Sequence, residues 1–199
     1  DRKAVELALE RIALGEVETR WSGALYGGGF RLEDREGLIR EVRALRTRAS
    51  PEALFRSFAS LGGERGWLVW NWAWALRGFL DRLLGGPGLR RGRRHPTELL
   101  PGEAVDFWRV EAVEPPRLLR LRAEMRLPGR AWLEWEAREA EGGSLLVQTA
   151  YFEPKGLTGF LYWWALYPIH RRIFSDLARA IVREAEAQAE APPRGGGAG

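Results

Sequence analysis

The ten residues LLRLRAEMRL, at positions 118–127, decide the fold, because apolar and charged side chains alternate along them. From position 119 to position 125 the odd-numbered residues are apolar, and the even-numbered residues between them are charged. This alternation is typical of an antiparallel strand with one buried face and one face in water. Similar stretches surround it at residues 106–113, 131–137 and 144–152, separated by the turn signals PP, PG and EGG. The sequence therefore predicts an antiparallel meander.

Upstream of the meander, strand and helix signals alternate. Residues 38–49 are typical of a strand that runs into a turn, and residues 50–52 then predict a helix start, with Ser50 as N-cap and Pro51 at the first helical position. A second helix is expected to follow the tryptophan-rich segment 67–76 and to end at the glycines of residues 85–88.

Downstream of the meander, a long helix is expected to begin after Pro154 and to run to about residue 188, kinked or interrupted at Pro168. An antiparallel sheet with one apolar face has to be covered, and this helix is the obvious cover. A curved sheet around one helix leaves room for a cavity between them. We therefore predict an α+β fold, a curved antiparallel sheet wrapped around a long C-terminal helix with an internal cavity.

The composition excludes several classes of chemistry. The chain has no cysteine, which excludes disulfides, thiolate catalysis and iron–sulfur clusters. It has only two histidines, His95 and His170, and no spacing that would support a metal site; His170 is expected at the surface or in an interface. The longest strongly apolar run, residues 157–169, is shorter than the roughly 20 residues of a membrane span, and no secretory signal is readable. These features predict a cytoplasmic globular protein.

Four motifs carry a family resemblance. They are GGPGLRRGRR at residues 85–94, DFWRVEAVEPPRLLRLRAEM at 106–125, PGRAWLE at 128–134 and QTAYF at 148–152. Together they resemble the DUF2867 family over roughly residues 20–185. The resemblance implies a helix-grip architecture of the START-like, SRPBCC or polyketide-cyclase-like kind.

In that family the domain commonly follows an NAD(P)-binding Rossmann domain in one polypeptide. The resemblance therefore implies that residues 1–20 are a helix and linker from a preceding domain and that residues 21–188 form the helix-grip domain. The composition of residues 189–199 predicts a disordered tail. The glycine segment at residues 26–30 lacks the spacing of a dinucleotide loop, so no cofactor is expected in this chain itself. NAD(P) is expected only through the Rossmann partner, in the same polypeptide or as a separate chain.

The ten tryptophans cluster mostly at residues 67–74, 132–135 and 163–164, where they are placed to line a cavity. Trp67, Trp70 and Trp74 lie at helical spacing, so at least one face of their segment is expected in the core, with Trp72 off that stripe. The aromatic residues expected to bind a ligand are Trp70, Trp74, Trp108, Trp132, Tyr151 and Trp164. The ligand is expected to be a small hydrophobic molecule, carbonyl-bearing or aromatic.

The positive charge is concentrated in a glycine-containing loop. Arg90, Arg91, Arg93 and Arg94 could bind an anion, such as the phosphates of a dinucleotide held by the neighbouring domain. The alternative is a solvated loop whose arginines pair with the acids of the chain. Binding of nucleic acid would need a longer basic surface or exposed stacked aromatics and is not expected.

The candidates for acid–base chemistry are Glu124, Glu134 and His95, with Arg109 and Arg122 as partners. A glutamate that faces the cavity beside an arginine would be a general acid or base. On the outer face the same residues would form cross-strand ion pairs, and the alternation favours this outer placement.

Three hypotheses about function remain open. The favoured one is a ligand-binding domain that is accessory to an NAD(P)-binding oxidoreductase or epimerase-like domain and is not catalytic alone. The second is a stand-alone enzyme of cyclase or hydratase type that uses Glu124 or Glu134. The third is a membrane-surface or protein-interaction module that uses the tryptophans and the arginine loop.

Overall fold

The computed structural model describes residues 29–35, 37–88, 93–95 and 98–190. The predictions for residues 1–20, for Arg90 and Arg91, and for the tail beyond Glu190 lie outside these residues. The elements are β1 (Gly29–Arg35), β2 (Leu38–Thr47), α1 (Pro51–Ala59), α2 (Asn71–Leu83), β3 (Ala104–Val105), β4 (Trp108–Glu114), β5 (Leu118–Ala123), β6 (Gly129–Ala140), β7 (Gly143–Pro154) and α3 (Gly156–Glu190).

The strands form one antiparallel sheet in the order β1-β2-β7-β6-β5-β4-β3. The four strands of the predicted meander are confirmed as β4 to β7. The strand expected at residues 106–113 begins later, because Asp106 adopts a positive φ of 54° between β3 and β4. The strand expected at residues 118–127 ends at Ala123. The sequence analysis missed the charged edge strand β1 and the two-residue strand β3.

The main core lies between the sheet and the two helices α1 and α3. Leu121 and Leu133 of the sheet belong to one buried cluster with Phe58 of α1 and with Leu177 and Ile181 of α3. The alternation predicted for β5 is confirmed, since Leu119 and Leu121 are both 1% exposed. The fold is therefore the predicted α+β helix-grip arrangement, a curved antiparallel sheet with a long C-terminal helix.

The first helix begins as predicted. The Ser50 hydroxyl accepts a hydrogen bond of 3.3 Å from the backbone N–H of Ala53, and Pro51 is the first helical residue. Of the two outcomes predicted at Pro168, a kink or an interruption, the interruption does not occur, since α3 continues through the proline. The proline removes one backbone hydrogen bond, to the carbonyl of Trp164. Both residues are on the exposed side of the helix, where water can solvate that carbonyl.

The helical spacing of Trp67, Trp70 and Trp74 does not correspond to one helix. Helix α2 begins only at Asn71, and Trp70 takes a left-handed conformation with φ 55°. The Asn71 side chain accepts a hydrogen bond of 2.9 Å from the backbone N–H of Trp67, which fixes a turn instead of a helical start. Trp67 is nevertheless in the core at 1% exposure, as the tryptophan cluster predicted.

Candidate functional site

A cavity of about 250 Å³ lies between α2, the sheet and the first half of α3. Its walls are almost entirely apolar, and aromatic rings from each of these elements contribute to it. Trp74 comes from α2, Trp108 from β4, Phe152 from β7, and Trp163 and His170 from α3. The helix-grip architecture thus places the cavity where the sequence predicted it, between the curved sheet and the long helix.

Stacked rings hold the lining in place. The ring centroids of Trp74 and Trp67 are 5.0 Å apart, and those of Trp163 and Phe152 are 5.2 Å apart with nearly parallel planes. His170 stacks on Phe174 at 5.6 Å. Aromatic pairs in this range of distance stabilise each other beyond their buried area, so the cavity has a preformed shape.

Four nitrogen atoms of the lining residues are buried and have no hydrogen-bond partner among the described residues. They are Nε1 of Trp74, Trp108 and Trp163, and Nδ1 of His170. We call them the four cavity nitrogens. Each indole nitrogen carries a hydrogen and can only donate. A buried donor that makes no hydrogen bond costs about 1–3 kcal/mol, so these groups favour a ligand that brings an acceptor.

Among the residues that the structure describes, the other tryptophans with buried indole nitrogens have partners, which makes the cavity nitrogens distinctive. The Nε1 atoms of Trp67, Trp70 and Trp135 donate to Asp106 at 2.7 Å, to Asp176 at 2.9 Å and to Gln148 at 2.9 Å. Buried polar groups in proteins normally find such partners. The three unpaired indole groups therefore all belong to residues that line the cavity.

The prediction that His170 lies at the surface or in an interface was wrong, because this residue belongs to the cavity wall. Its position seven residues after Trp163 and four before Phe174 brings it onto the inward side of α3. Burial, and to a smaller extent the charge of Arg77, lowers the pKa of His170 to about 4. The imidazole is thus neutral near neutral pH and offers one donor and one acceptor.

A family model described as "Protein of unknown function (DUF2867)" matches residues 35–177. The chain belongs to the DUF2867 family. No curated protein matches the sequence.

Solved structures resemble the DUF2867 chain at low identity. CalU16 from Micromonospora echinospora is 14% identical, with a TM-score of 0.37 over 81% of this chain and 94% of that chain. The di-domain ARO/CYC StfQ from the steffimycin biosynthetic pathway is 12% identical, with a TM-score of 0.47 over 77% of this chain and 52% of that chain. Ara h 8.0201 is 12% identical, with a TM-score of 0.47 over 76% of this chain and 99% of that chain. This chain thus spans about half the length of StfQ. These likenesses concern the fold and give no ligand.

The predicted ligand-binding residues of the DUF2867 domain fall into three groups. Trp74 and Trp108 line the cavity. Trp132 and Tyr151 stand opposite each other on two strands and are also among the residues that line the cavity, although their side chains form a separate cluster with Leu38 on the other face of the sheet. Trp70 and Trp164 do not line the cavity; the Trp70 indole is bound to Asp176, and Trp164 is 55% exposed.

Neither candidate glutamate lines the cavity. The Arg120 guanidinium donates to Glu134 at 2.6 Å across neighbouring strands, and the Tyr151 hydroxyl donates to the same carboxylate at 3.3 Å. Glu124 accepts two hydrogen bonds from Arg109, at 2.8 and 3.0 Å. The outer cross-strand placement is therefore observed, although Glu134 is buried beneath this outer face at 8% exposure.

The described arginines of the basic loop are engaged by the protein. Arg93 donates to the backbone carbonyls of Leu61 at 2.7 Å and Ala59 at 2.8 Å, and Arg94 pairs with Glu103. His95 accepts a hydrogen bond of 3.0 Å from the backbone N–H of Glu98 and does not line the cavity. In the described half of the loop, the arginines therefore bind groups of the chain itself, in agreement with the alternative to anion binding.

One buried ion pair was missed by the sequence analysis. Glu41 and Arg43 of β2 lie on the inner face of the sheet, and Arg43 also donates to the Arg171 carbonyl at 3.0 Å and to Ser175 at 3.1 Å. Burial raises the pKa of Glu41, and Arg43 opposes that shift. Charged residues occupy both faces of this strand, so the sequence pattern could not indicate that this pair is buried. Within the described part of the chain, no group of three or more histidines and acids could hold a metal ion.

Proposed function

We propose that this domain binds one small apolar molecule that carries a hydrogen-bond acceptor, such as a carbonyl oxygen, inside the cavity. The observation that carries the proposal is that four buried nitrogens without a hydrogen-bond partner belong to residues that line an otherwise apolar cavity. Apolar walls with a few convergent polar groups are the usual design of small-molecule sites.

The shape of the cavity supports a compact ligand. A volume of about 250 Å³ lies at the small end of ligand pockets, which suits a molecule of a few rings better than a long acyl chain. The aromatic lining offers stacking surfaces for planar rings, and the indole N–H groups give the ligand its orientation. A carbonyl oxygen has two lone pairs and could accept from two of these donors at once.

We further propose that the domain works as an accessory to an NAD(P)-binding domain, covalently joined or separate. The family resemblance supports this role, and the chemistry agrees with it, because a carbonyl is a group that a nicotinamide reduces. In this role the helix-grip domain positions the carbonyl compound and excludes water, while the partner supplies the hydride.

Two matched probes test the binding function. Acetylnaphthalene and ethylnaphthalene have nearly the same size, and only the first carries a carbonyl oxygen. We expect isothermal titration calorimetry to show binding of both, with acetylnaphthalene at least tenfold tighter, since about 1.4 kcal/mol corresponds to tenfold in affinity. Equal affinities would overturn the acceptor requirement. Binding of neither probe, together with identical native and denaturing masses of the freshly purified protein, would overturn ligand binding in the cavity.

A further inference from the structure

The two helices that border the cavity expose a large apolar face. On α2 the exposed large apolar residues are Trp72, Leu76, Phe79, Leu80 and Leu83, which follow one another at helical spacing and are between 45% and 68% exposed. On the first half of α3 the exposed residues are Leu157, Leu161, Trp164 and Ile169. We call these nine side chains the apolar face. Monomeric soluble proteins rarely leave so many large apolar groups together in water.

Helix α2 is built to present this face outward. Its buried residues are Trp74, Gly78 and Asp81, so a glycine and an acid occupy the side where a core helix normally carries leucines. The Asp81 carboxylate accepts backbone hydrogen bonds from Gly88 at 3.0 Å and from Arg126 at 2.7 Å. These bonds hold the polar side of α2 against the protein and leave its apolar side exposed.

The apolar face is continuous with the cavity. Trp72, Leu76 and Leu80 of α2 and Ile169 of α3 are exposed and also line the cavity. The rim of the ligand site is therefore made of the same side chains that face the solvent. An apolar molecule that reached this face from an apolar medium could enter the cavity without first crossing water.

Most of the charges beside the apolar face are positive. Asp81 is the only acid of residues 71–84, and it is fully buried. Residues 156–175 contain no acid, and Arg171 and Arg172, which follow the apolar part of α3, are exposed. Asp176 comes next and pairs with Arg172 at 3.2 Å, so Arg171 is the cation of this segment that is not paired with that acid. Arg82 is exposed on α2. The face is thus flanked by cations, which attract a surface that carries negative charge.

We propose that the apolar face docks onto the surface of a lipid bilayer that contains anionic lipid, with the cavity rim against the acyl chains. Bulky apolar side chains flanked by arginines are the features that hold amphipathic helices at such interfaces. A second copy of the chain fits less well, because a symmetric contact would bring the flanking arginines of both copies together. The proposal concerns a surface and does not depend on the identity of the cavity ligand.

Vesicle flotation tests the proposal directly. We expect the protein to float with vesicles of phosphatidylcholine and phosphatidylglycerol, and to float much less with phosphatidylcholine alone or at high salt, which screens exposed charges. No flotation with the anionic vesicles would overturn the proposal. If the protein does not float, and sedimentation shows a dimer that Phe79→Gln combined with Leu83→Gln dissociates, the face is instead an interface with a second copy of the chain.

Matched variants separate the apolar and ionic contributions. Phe79→Gln combined with Leu83→Gln removes two side chains of the face that do not line the cavity, and we expect at least a tenfold loss of vesicle affinity. Leu100→Gln is the control, since Leu100 is 53% exposed and lies outside the face. Arg82→Glu is expected to weaken the preference for anionic vesicles, whereas Arg56→Glu on α1 is expected to preserve it. If each variant had the same vesicle affinity and the same preference for anionic vesicles as its control, the proposed orientation would be contradicted.

These assays contain no cavity ligand, so their outcome is independent of the proposed binding function. A chain that floats but binds neither naphthalene probe would keep the docking proposal and lose the ligand-binding one. A chain that binds acetylnaphthalene but does not float would do the reverse.

Discussion

Trp163 and His170 lie two turns apart on α3 with their ring centroids 6.1 Å from each other, and each contributes one of the four cavity nitrogens. One helix therefore presents both a pure donor and an imidazole that can donate or accept. Trp74 and Trp108 bring the remaining two nitrogens from α2 and β4. The polar groups of the cavity thus come from three separate elements, which the helix-grip fold brings together.

Replacing a cavity tryptophan by phenylalanine should reduce the discrimination between the two naphthalene probes. Trp108→Phe and Trp163→Phe keep an aromatic ring and remove one indole N–H. We expect each variant to lower the ratio of acetylnaphthalene affinity to ethylnaphthalene affinity by about fivefold, because a hydrogen bond contributes about 1 kcal/mol. Calorimetry measures both affinities, and the ratio cancels the change in ring size.

Trp164→Phe is the control for these variants, because Trp164 is exposed and does not line the cavity. Its affinity ratio should equal that of the wild-type chain. A ratio that falls in Trp164→Phe but not in Trp163→Phe would contradict the assignment of the site.

The stability of the protein should depend on pH through His170. The pKa of His170 is lowered to about 4 in the folded state, while an unfolded histidine titrates near about 6.5. Between these values the unfolded state binds more protons, so the free energy of unfolding falls as the pH drops from about 6.5 to about 4. Compared with His170→Gln, the wild-type chain should lose about 3 kcal/mol over this range in urea denaturation. A difference that does not change with pH would show that the histidine is not buried in the cavity wall.

Glu134→Gln should reduce stability without changing ligand affinity. The substitution removes the charge that pairs with Arg120 beneath the outer face of the sheet, and it leaves a buried cation without its counterion. We expect a loss of about 1–3 kcal/mol in the free energy of unfolding. The affinity for acetylnaphthalene should stay within about twofold of the wild-type value, because Glu134 does not line the cavity. A large loss of affinity in a stably folded Glu134→Gln protein would support the enzyme hypothesis that used this residue.

Asp81→Ala should loosen α2. The carboxylate of Asp81 binds the backbone of Gly88 and of Arg126, and the variant leaves both N–H groups without their acceptor. We expect faster tryptic cleavage after Arg77 and Arg82, since local opening exposes the helix to the protease. Asp81→Asn keeps one acceptor oxygen and should give an intermediate rate. Cleavage rates equal to that of the wild-type chain would show that other contacts hold α2 in place.

The sheet could be predicted because the alternation of apolar and charged residues indicates both a strand and the face that the strand buries. Leu119 and Leu121 are buried in the core, and the charged side chain of Arg120 between them lies on the other face of the sheet. Helical periodicity carries less information for α2: it reveals a stripe of large apolar residues but not whether that stripe faces the core. There the buried hydrogen bonds of Asp81 turn the leucines outward, and these bonds join residues 7 and 45 positions apart in sequence.

The site was only partly predictable for a related reason. The tryptophan clusters indicated an aromatic cavity, but the side of the sheet on which each ring lies follows from the strand register. Trp132 and Tyr151 lie on the far face because Leu133 and Ala150, their neighbours in sequence, face the core. The hydrogen-bond partner of each indole group depends on tertiary packing, and no local pattern distinguishes Trp135, which is bonded to Gln148, from Trp163.

The most direct test is a ¹H–¹⁵N spectrum of the indole groups, recorded with acetylnaphthalene and with ethylnaphthalene. Ethylnaphthalene reports the ring effect of the probe alone, so the difference between the two spectra isolates the carbonyl. The account predicts downfield differences for the Nε1–H groups of at least two of Trp74, Trp108 and Trp163, assigned by their phenylalanine variants, and none for Trp67 and Trp135, which are bonded to Asp106 and Gln148. Identical spectra with the two probes, or differences confined to the bonded indoles, would contradict the claim that the cavity nitrogens bind a ligand acceptor.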